Sequence, residues 1–218
     1  MTYQHLGDFG DLSLAVVVTS PPWYENSYLV LHRPSGALAL VDPGDDAPRL
    51  REAVAALGGR PAAILLTHGH PDHLGAAAEL ETEYDVSTRA HLGEKTVIAA
   101  AGDLSRAFTG QPLTIPTRLD LFEPPVEIDL GGAPVRVIAT PGHSPGGVCY
   151  DFGAFVLTGD TLFRGGVGRT DLPGGSEQQL WDSIERLLAG LSDEVWLFSG
   201  HGPGWTVAEA RRWWALAG

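Results

Sequence analysis

The chain is short of cysteine, of basic residues and of long apolar runs. Its single cysteine, Cys149, rules out an internal disulfide and fits a reducing compartment, so a cytoplasmic protein is expected. The 14 Lys and Arg stand against 27 Asp and Glu, a net charge of -13 that repels a phosphate backbone. With no basic patch to offset it, nucleic acid is not an expected partner and RNA processing is disfavoured. No window approaches the ~20 consecutive apolar residues of a membrane span. Nor does the start, Met1 to His5, carry the basic segment and apolar stretch of a secretory signal. Membrane is therefore not an expected partner either.

What is present is a globular composition, with 44% hydrophobic and 19% charged residues, and a length that suits one domain over 1–218. Its densest feature is Thr67-His68-Gly69-His70-Pro71-Asp72-His73. His68 and His70 are two apart, so in an extended segment they project to one side; Pro71 suits the first turn of a helix that carries Asp72 and His73. Two metal subsites can therefore be served from one corner. Imidazole and carboxylate are donors that zinc and non-haem iron accept, and a hydrolytic site needs them with a coordination position left for water.

Around this motif, strands are expected at 12–19, 26–32 and 37–41, the last two joined by a hairpin turn at Arg33-Pro34-Ser35-Gly36. Asp42-Pro43-Gly44-Asp45 breaks the pattern, either as a simple turn or because Asp42 supports a metal ligand from behind. A helix at 48–57 ends at Gly58-Gly59, and a strand at 62–66 feeds the histidine motif. Next come a helix at 72–83, a strand at 86–90 and a helix at 91–101. Between 102 and 130, Pro112, Pro116, Pro124 and Pro125 point to loops and edge strands, lying over a substrate cleft or over the core. Strands follow at 134–139, 148–152, 154–157 and 194–198, with helices from Ser176 to about Leu188 and at 207–216. Strands and helices thus alternate in two halves, each opening on antiparallel strands.

Three further donors each follow an apolar run: His143 in Thr140-Pro141-Gly142-His143-Ser144, Asp160 in Thr158-Gly159-Asp160, and His201 in Gly200-His201-Gly202. Donors that leave the carboxyl ends of strands gather at one rim of a layered α/β structure. Five His and two Asp are enough for two metals.

These motifs, in this order, resemble the metallo-β-lactamase-fold superfamily over almost the whole stretch from Asp42 to His201. The resemblance implies an α/β fold, a four-layer αββα sandwich, with a dinuclear site on its edge. It also implies a partition: His68, His70 and His143 on one metal; Asp72, His73 and His201 on the other; Asp160 between them. Two divalent ions are expected, zinc first, with iron or manganese as alternatives. Gly159-Asp160-Thr161-Leu162-Phe163 and Gly168-Arg169-Thr170-Asp171-Leu172-Pro173-Gly174-Gly175 are similar to small bacterial glyoxalase II-like hydrolases and, at Gly168 to Asp171, to persulfide dioxygenases. Several lactamases carry Cys where Asp160 stands, which argues against those subclasses.

The resemblance therefore implies a thioesterase of glyoxalase II type that cleaves hydroxyacyl-thiol conjugates by a metal-bridging hydroxide, with Asp72 orienting that hydroxide. Arg169 matches the basic residue that contacts the thiol carrier's carboxylate, the alternative being an ion pair with Asp171. The aromatic contact two residues on is not carried over, because Asp171 stands there. The helical carboxyl-terminal domain that helps long glyoxalase II enzymes bind glutathione is not expected, since the chain ends soon after His201. The competing reading is an iron persulfide dioxygenase with one metal on His68, His143 and Asp160. Cys149 reads as inert core, and His5, His32 and His91 as surface or structural.

Overall fold

The protein, seen in a computed structural model, is described over residues 3–217. Seven strands form the first sheet in chain order: β1 (Gln4–Phe9), β2 (Leu12–Val18), β3 (Asn26–His32), β4 (Ala37–Val41), β5 (Arg60–Leu65), β6 (Thr88–His91) and β7 (Leu119–Phe122). The second sheet contains β8 (Val126–Leu130), β9 (Ala133–Ala139), β10 (Val148–Asp151) and β11 (Phe155–Gly159). A small hairpin, β12 (Leu162–Phe163) with β13 (Gly166–Val167), precedes the last two strands of that sheet, β14 (Trp196–Ser199) and β15 (Trp205–Thr206). Its order is β15-β14-β11-β10-β9-β8. The helices are α1 (Ala47–Leu57), α2 (Pro71–Leu74), α3 (Ala77–Tyr84), α4 (Lys95–Thr109), α5 (Glu177–Gly190) and α6 (Val207–Ala217).

Period-two alternation divides each central strand between two cores. In β4, Ala37, Ala39 and Val41 face the second sheet and, with Val30 and Leu65 of their own sheet, join Val137, Tyr150, Phe155 and Leu157. Leu38 and Leu40 point the other way, onto Leu50, Leu74, Leu80 and Ile98 of the helices. The second sheet repeats the device, with Cys149, Val156 and Leu197 against Leu180, Ile184 and Leu187. Three apolar interfaces thus separate four layers, helix, sheet, sheet and helix, as expected. Strands buried on both faces carry continuous apolar stretches, Tyr28 to Leu31 in β3 and Ala37 to Val41 in β4, which makes both strands legible in the sequence.

Some elements depart from expectation. The helix expected over 72–83 is two helices, broken at Gly75, because the Asp42-Pro43-Gly44 turn is pressed into the gap. A side chain at Gly75 would place Cβ 2.1 Å from the Gly44 carbonyl, and Ala76 N donates to Pro43 O at 2.9 Å. His91 ends β6, and the helix expected to start there begins at Lys95 after a 3-10 turn over Leu92–Glu94. It then runs to Thr109, beyond the expected 101, and stops at Gly110 in the left-handed region. In the stretch 102–130, β7 and β8 are edge strands as expected, and Leu113 and Ile115 pack on the helical core instead of lining a cleft. β1 has no counterpart among the expected strands.

Strands β9, β11 and β14 share one direction, since β10 is antiparallel to β9 and β11 while β11 and β14 are parallel. Their carboxyl ends deliver His143, Asp160 and His201 to a common rim. The end of β5 brings His68 to His73 to the same place. No helix among the described residues is long and apolar enough to cross a membrane.

Candidate metal centre

All seven expected donors converge. Donor atoms of His68, His70 and His143 lie within 4.8 Å of one another, as do those of Asp72, His73 and His201. Asp160 groups with His68 and His73, one from each triad, and so stands between them. Its oxygens lie 3.3 Å from His73 Nε2, 3.8 Å from His143 Nε2 and 3.7 Å from His201 Nε2.

Acceptors behind the rings decide which nitrogen faces inward. Thr67 gives its hydroxyl proton to Asp42 Oδ2 at 2.6 Å, so its 3.0 Å contact with His68 Nδ1 requires that nitrogen to donate. His73 Nδ1 donates to Asp42 Oδ2 at 3.0 Å, and His143 Nδ1 to the Arg169 carbonyl at 2.7 Å. In His68 and His143 this leaves the Nε2 lone pair to the site, a tautomer assigned by these partners, and in His73 it turns Nε2 inward. Asp42 thus supports ligands of both triads, which favours the supporting role over the simple turn.

This arrangement fits cations. His143 Nε2 lies 3.2 Å from His68 Nε2 and 2.8 Å from His70 Nδ1, a crowd of lone pairs that repel one another unless a proton or metal stands among them. His73 Nε2 and Asp160 Oδ1 are buried and face each other at 3.3 Å, and neither makes a well-formed hydrogen bond to any other group among the described residues. Glycine is required where backbone crosses the cluster. At Gly168 a Cβ would fall 2.0 Å from Asp160 O and 2.8 Å from His143 Nδ1; at Gly200 it would fall 2.3 Å from Asp160 Oδ1.

Electrostatics differ across the cluster. Burial, reinforced by the neighbouring imidazoles, holds His68 well below the usual histidine range and His70 down at about 4; burial also lowers His143. Burial presses His73 down as well, but Asp160, Asp72 and Asp42 outweigh it and hold the imidazolium well above that range. Burial raises the acids, yet His73 overcomes it, so Asp72 and Asp160 are both lowered.

Several residues had no signal in the sequence, or only a faint one. Asn26 ties down the His201 loop, its Nδ2 donating to Ser199 O at 2.9 Å and Gly202 O at 2.8 Å. Buried Glu25 stands behind Asp42 and His73, and buried Glu94 behind the first triad. A polar pair opening an apolar strand could have flagged Glu25 and Asn26; nothing flags Glu94. Arg169 is exposed and forms a bidentate pair with Asp171, both contacts 2.7 Å, so the ion-pair alternative is present in the structure. His5 pairs with Asp8, His32 with Ser35 and His91 with Gly93 N, and none of the three belongs to a metal-ligand group.

The superfamily model described as "Metallo-beta-lactamase superfamily" matches residues 20–201. The chain belongs to the metallo-beta-lactamase superfamily. It is similar to a probable metallo-hydrolase, YqgX, of Bacillus subtilis, with 36% identity over 84% of this chain and 87% of that protein. It is 33% identical to the hydroxyacylglutathione hydrolase GloC of Haemophilus influenzae, over 80% of this chain and 84% of the relative. Among solved structures, the BLEG-1 B3 metallo-beta-lactamase superposes with a TM-score of 0.85 at 32% identity, over 91% of this chain and 96% of that one. TTHA1623 in a di-iron-bound form gives 0.80 at 38% identity, over 89% and 96%. Membership places the protein among the metal-dependent hydrolases of a fold that binds divalent metals, usually two.

Proposed function

We propose that this metallo-hydrolase cleaves thioesters of small thiol carriers, in the manner of a hydroxyacylglutathione hydrolase, with two metals held by His68, His70, His143 and by Asp72, His73, His201. The observation that carries the two-metal reading is Asp160, which stands between the triads and groups with one histidine of each, its buried oxygen facing only His73 Nε2. The thioester reading rests on the similarity to GloC and on the Gly168 to Gly175 segment beside the site.

When bound, divalent metals supply a nucleophilic water at neutral pH and polarise the acyl carbonyl. The protein's own groups do the rest. Asp72 and His201 form the open side of the cluster, where His201 is 31% exposed and Asp72 Oδ2 lies 3.3 Å from His201 Nε2. Substrate enters from that side, and Asp72 orients the attacking water by accepting its proton in a hydrogen bond. Asp42 and the Arg169 carbonyl hold the imidazoles fixed meanwhile. The leaving thiolate needs no strong acid, because a thiol has a pKa of about 8.5. Cys149 offers no covalent route: burial pushes its thiol up to about 11. At the rim, Arg169 exchanges Asp171 for a carboxylate of the thiol carrier.

A one-iron dioxygenase on His68, His143 and Asp160 would leave Asp72, His73 and His201 converging without a task, which favours hydrolysis. The test is a thioester panel that varies the carrier, run beside a β-lactam and a thiol persulfide with oxygen uptake recorded. Thioester turnover without oxygen uptake is expected. Persulfide oxidation in its place, or turnover of the β-lactam alone, contradicts the proposal.

A further inference from the structure

We infer that Glu94, which lies outside every metal-binding motif, is a positioning residue that locks the two loops of the imidazole triad together. The inference rests on the metal-centre reading above. Glu94 closes the 3-10 turn before α4 and is fully buried. Its two carboxylate oxygens serve two different loops. Oε2 accepts from Gly69 N at 2.7 Å, and Oε1 accepts from Gly146 N at 2.6 Å. Gly69 lies between His68 and His70; Gly146 follows His143 on the other loop.

The triad's shape depends on what joins these loops, because they leave different sheets. On one flank Val148 N donates to Thr67 O at 2.9 Å. Glu94 provides a joint through side-chain oxygens. Both loops are glycine where they meet its turn. A Cβ at Gly69 would lie 2.8 Å from Ile98 Cγ1 and 3.1 Å from Glu94 Oε2, and one at Gly146 would lie 2.6 Å from His91 Nδ1 and 2.8 Å from Glu94 N. His91 steadies the turn by accepting from Gly93 N at 2.9 Å.

A carboxylate can accept on both oxygens, whereas a carboxamide nitrogen only donates, so glutamine at this position keeps the volume and loses one joint. Glu81 is a matched control. It is buried too, and its oxygens take Thr117 N, Arg118 N and the hydroxyls of Thr88 and Thr117, none of which adjoins a metal donor. It staples the fold without touching the ligand loops.

Full-length wild type, Glu94→Gln and Glu81→Gln, each stripped by chelator, are titrated with Co²⁺ and followed by visible absorption. Glu94→Gln is expected to bind about 10–100-fold more weakly, the usual loss for an outer-shell partner, with an altered cobalt band. Glu81→Gln is expected to lower the melting temperature with affinity and band unchanged. Wild-type behaviour of Glu94→Gln would overturn the inference, as would equal weakening in Glu81→Gln. Should Glu94→Gln fail to fold, hydrogen exchange of the metal-free wild type decides: slow exchange of the Gly69 and Gly146 amides supports the clamp, and fast exchange at either overturns it. Wild type that binds no Co²⁺ would overturn the metal-centre reading and the clamp with it; the other negative results overturn the clamp alone.

Discussion

The two triads occupy one rim but are built from different chemistry. His68, His70 and His143 are three buried imidazoles kept neutral by their burial and, in His68 and His70, also by neighbouring imidazoles. Asp72, His73 and His201, with Asp160 alongside, are rich in carboxylate and open toward solvent at His201. The first triad is ready for a cation at neutral pH. In the second, the carboxylates hold a proton on His73 that a metal must displace. The pair is therefore asymmetric: one side is closed, and the other is rich in carboxylate and accessible to solvent.

The largest expected effect comes from removing what the triads share. Asp160→Ala should reduce the metal content to at most one ion per chain and lower turnover by more than the ~100-fold that loss of an outer-shell partner costs. Metal analysis with steady-state kinetics checks this, and unchanged content would refute the bridging role. Next is Asp42→Asn, which weakens support of His73 directly and of His68 through Thr67. About 10–100-fold weaker binding is expected, felt on both sides of the comparison. Loss confined to one metal, measured by competition with a chelator, would show that Thr67 does not transmit the effect.

The asymmetry itself is tested by protons. Near neutral pH, metal titration of the first triad should release almost none, and the second should release the His73 proton, a difference readable by calorimetry in buffers of different ionisation enthalpy. In metal-free protein the first-triad histidines have folded pKa values below their unfolded ones, about 4 for His70. The unfolded chain thus takes up protons first as pH falls, and stability should drop from pH ~6.5 toward ~4. His73, shifted upward, works in the opposite sense: its contribution is complete below pH ~6.5 and is lost as pH rises through its folded value. A melting temperature that rises from pH 6.5 to 4 would contradict the account. The smallest effect is at the rim. Arg169→Ala should raise KM for charged thiol conjugates more than for neutral thioesters, by at most about fivefold, the scale of an exposed ion pair.

The sequence was legible where chemistry and period coincide. Fully buried strands such as β3 and β4, and donors placed just after apolar runs, are set by local pattern, and all seven donors converge. It was illegible where one segment answers to a distant one. The break at Gly75 exists because Gly44, remote in the chain, is pressed against it. β1 is a half-exposed edge strand with little apolar signal of its own. Glu94 looks like any acidic residue before a helix, and only the folded chain shows Gly69 and Gly146 converging on it. Arg169 shows the opposite problem: its motif suggested a substrate contact, while the structure places its guanidinium on Asp171 and uses its carbonyl to orient His143.

The most direct test of the two-triad account is the metal content of protein purified without added metal, measured by mass spectrometry against amino-acid analysis. The account predicts two divalent ions per chain, with the second lost first as pH falls because it competes with the His73 proton. A single iron per chain that resists exchange, or no bound metal at all, would contradict it.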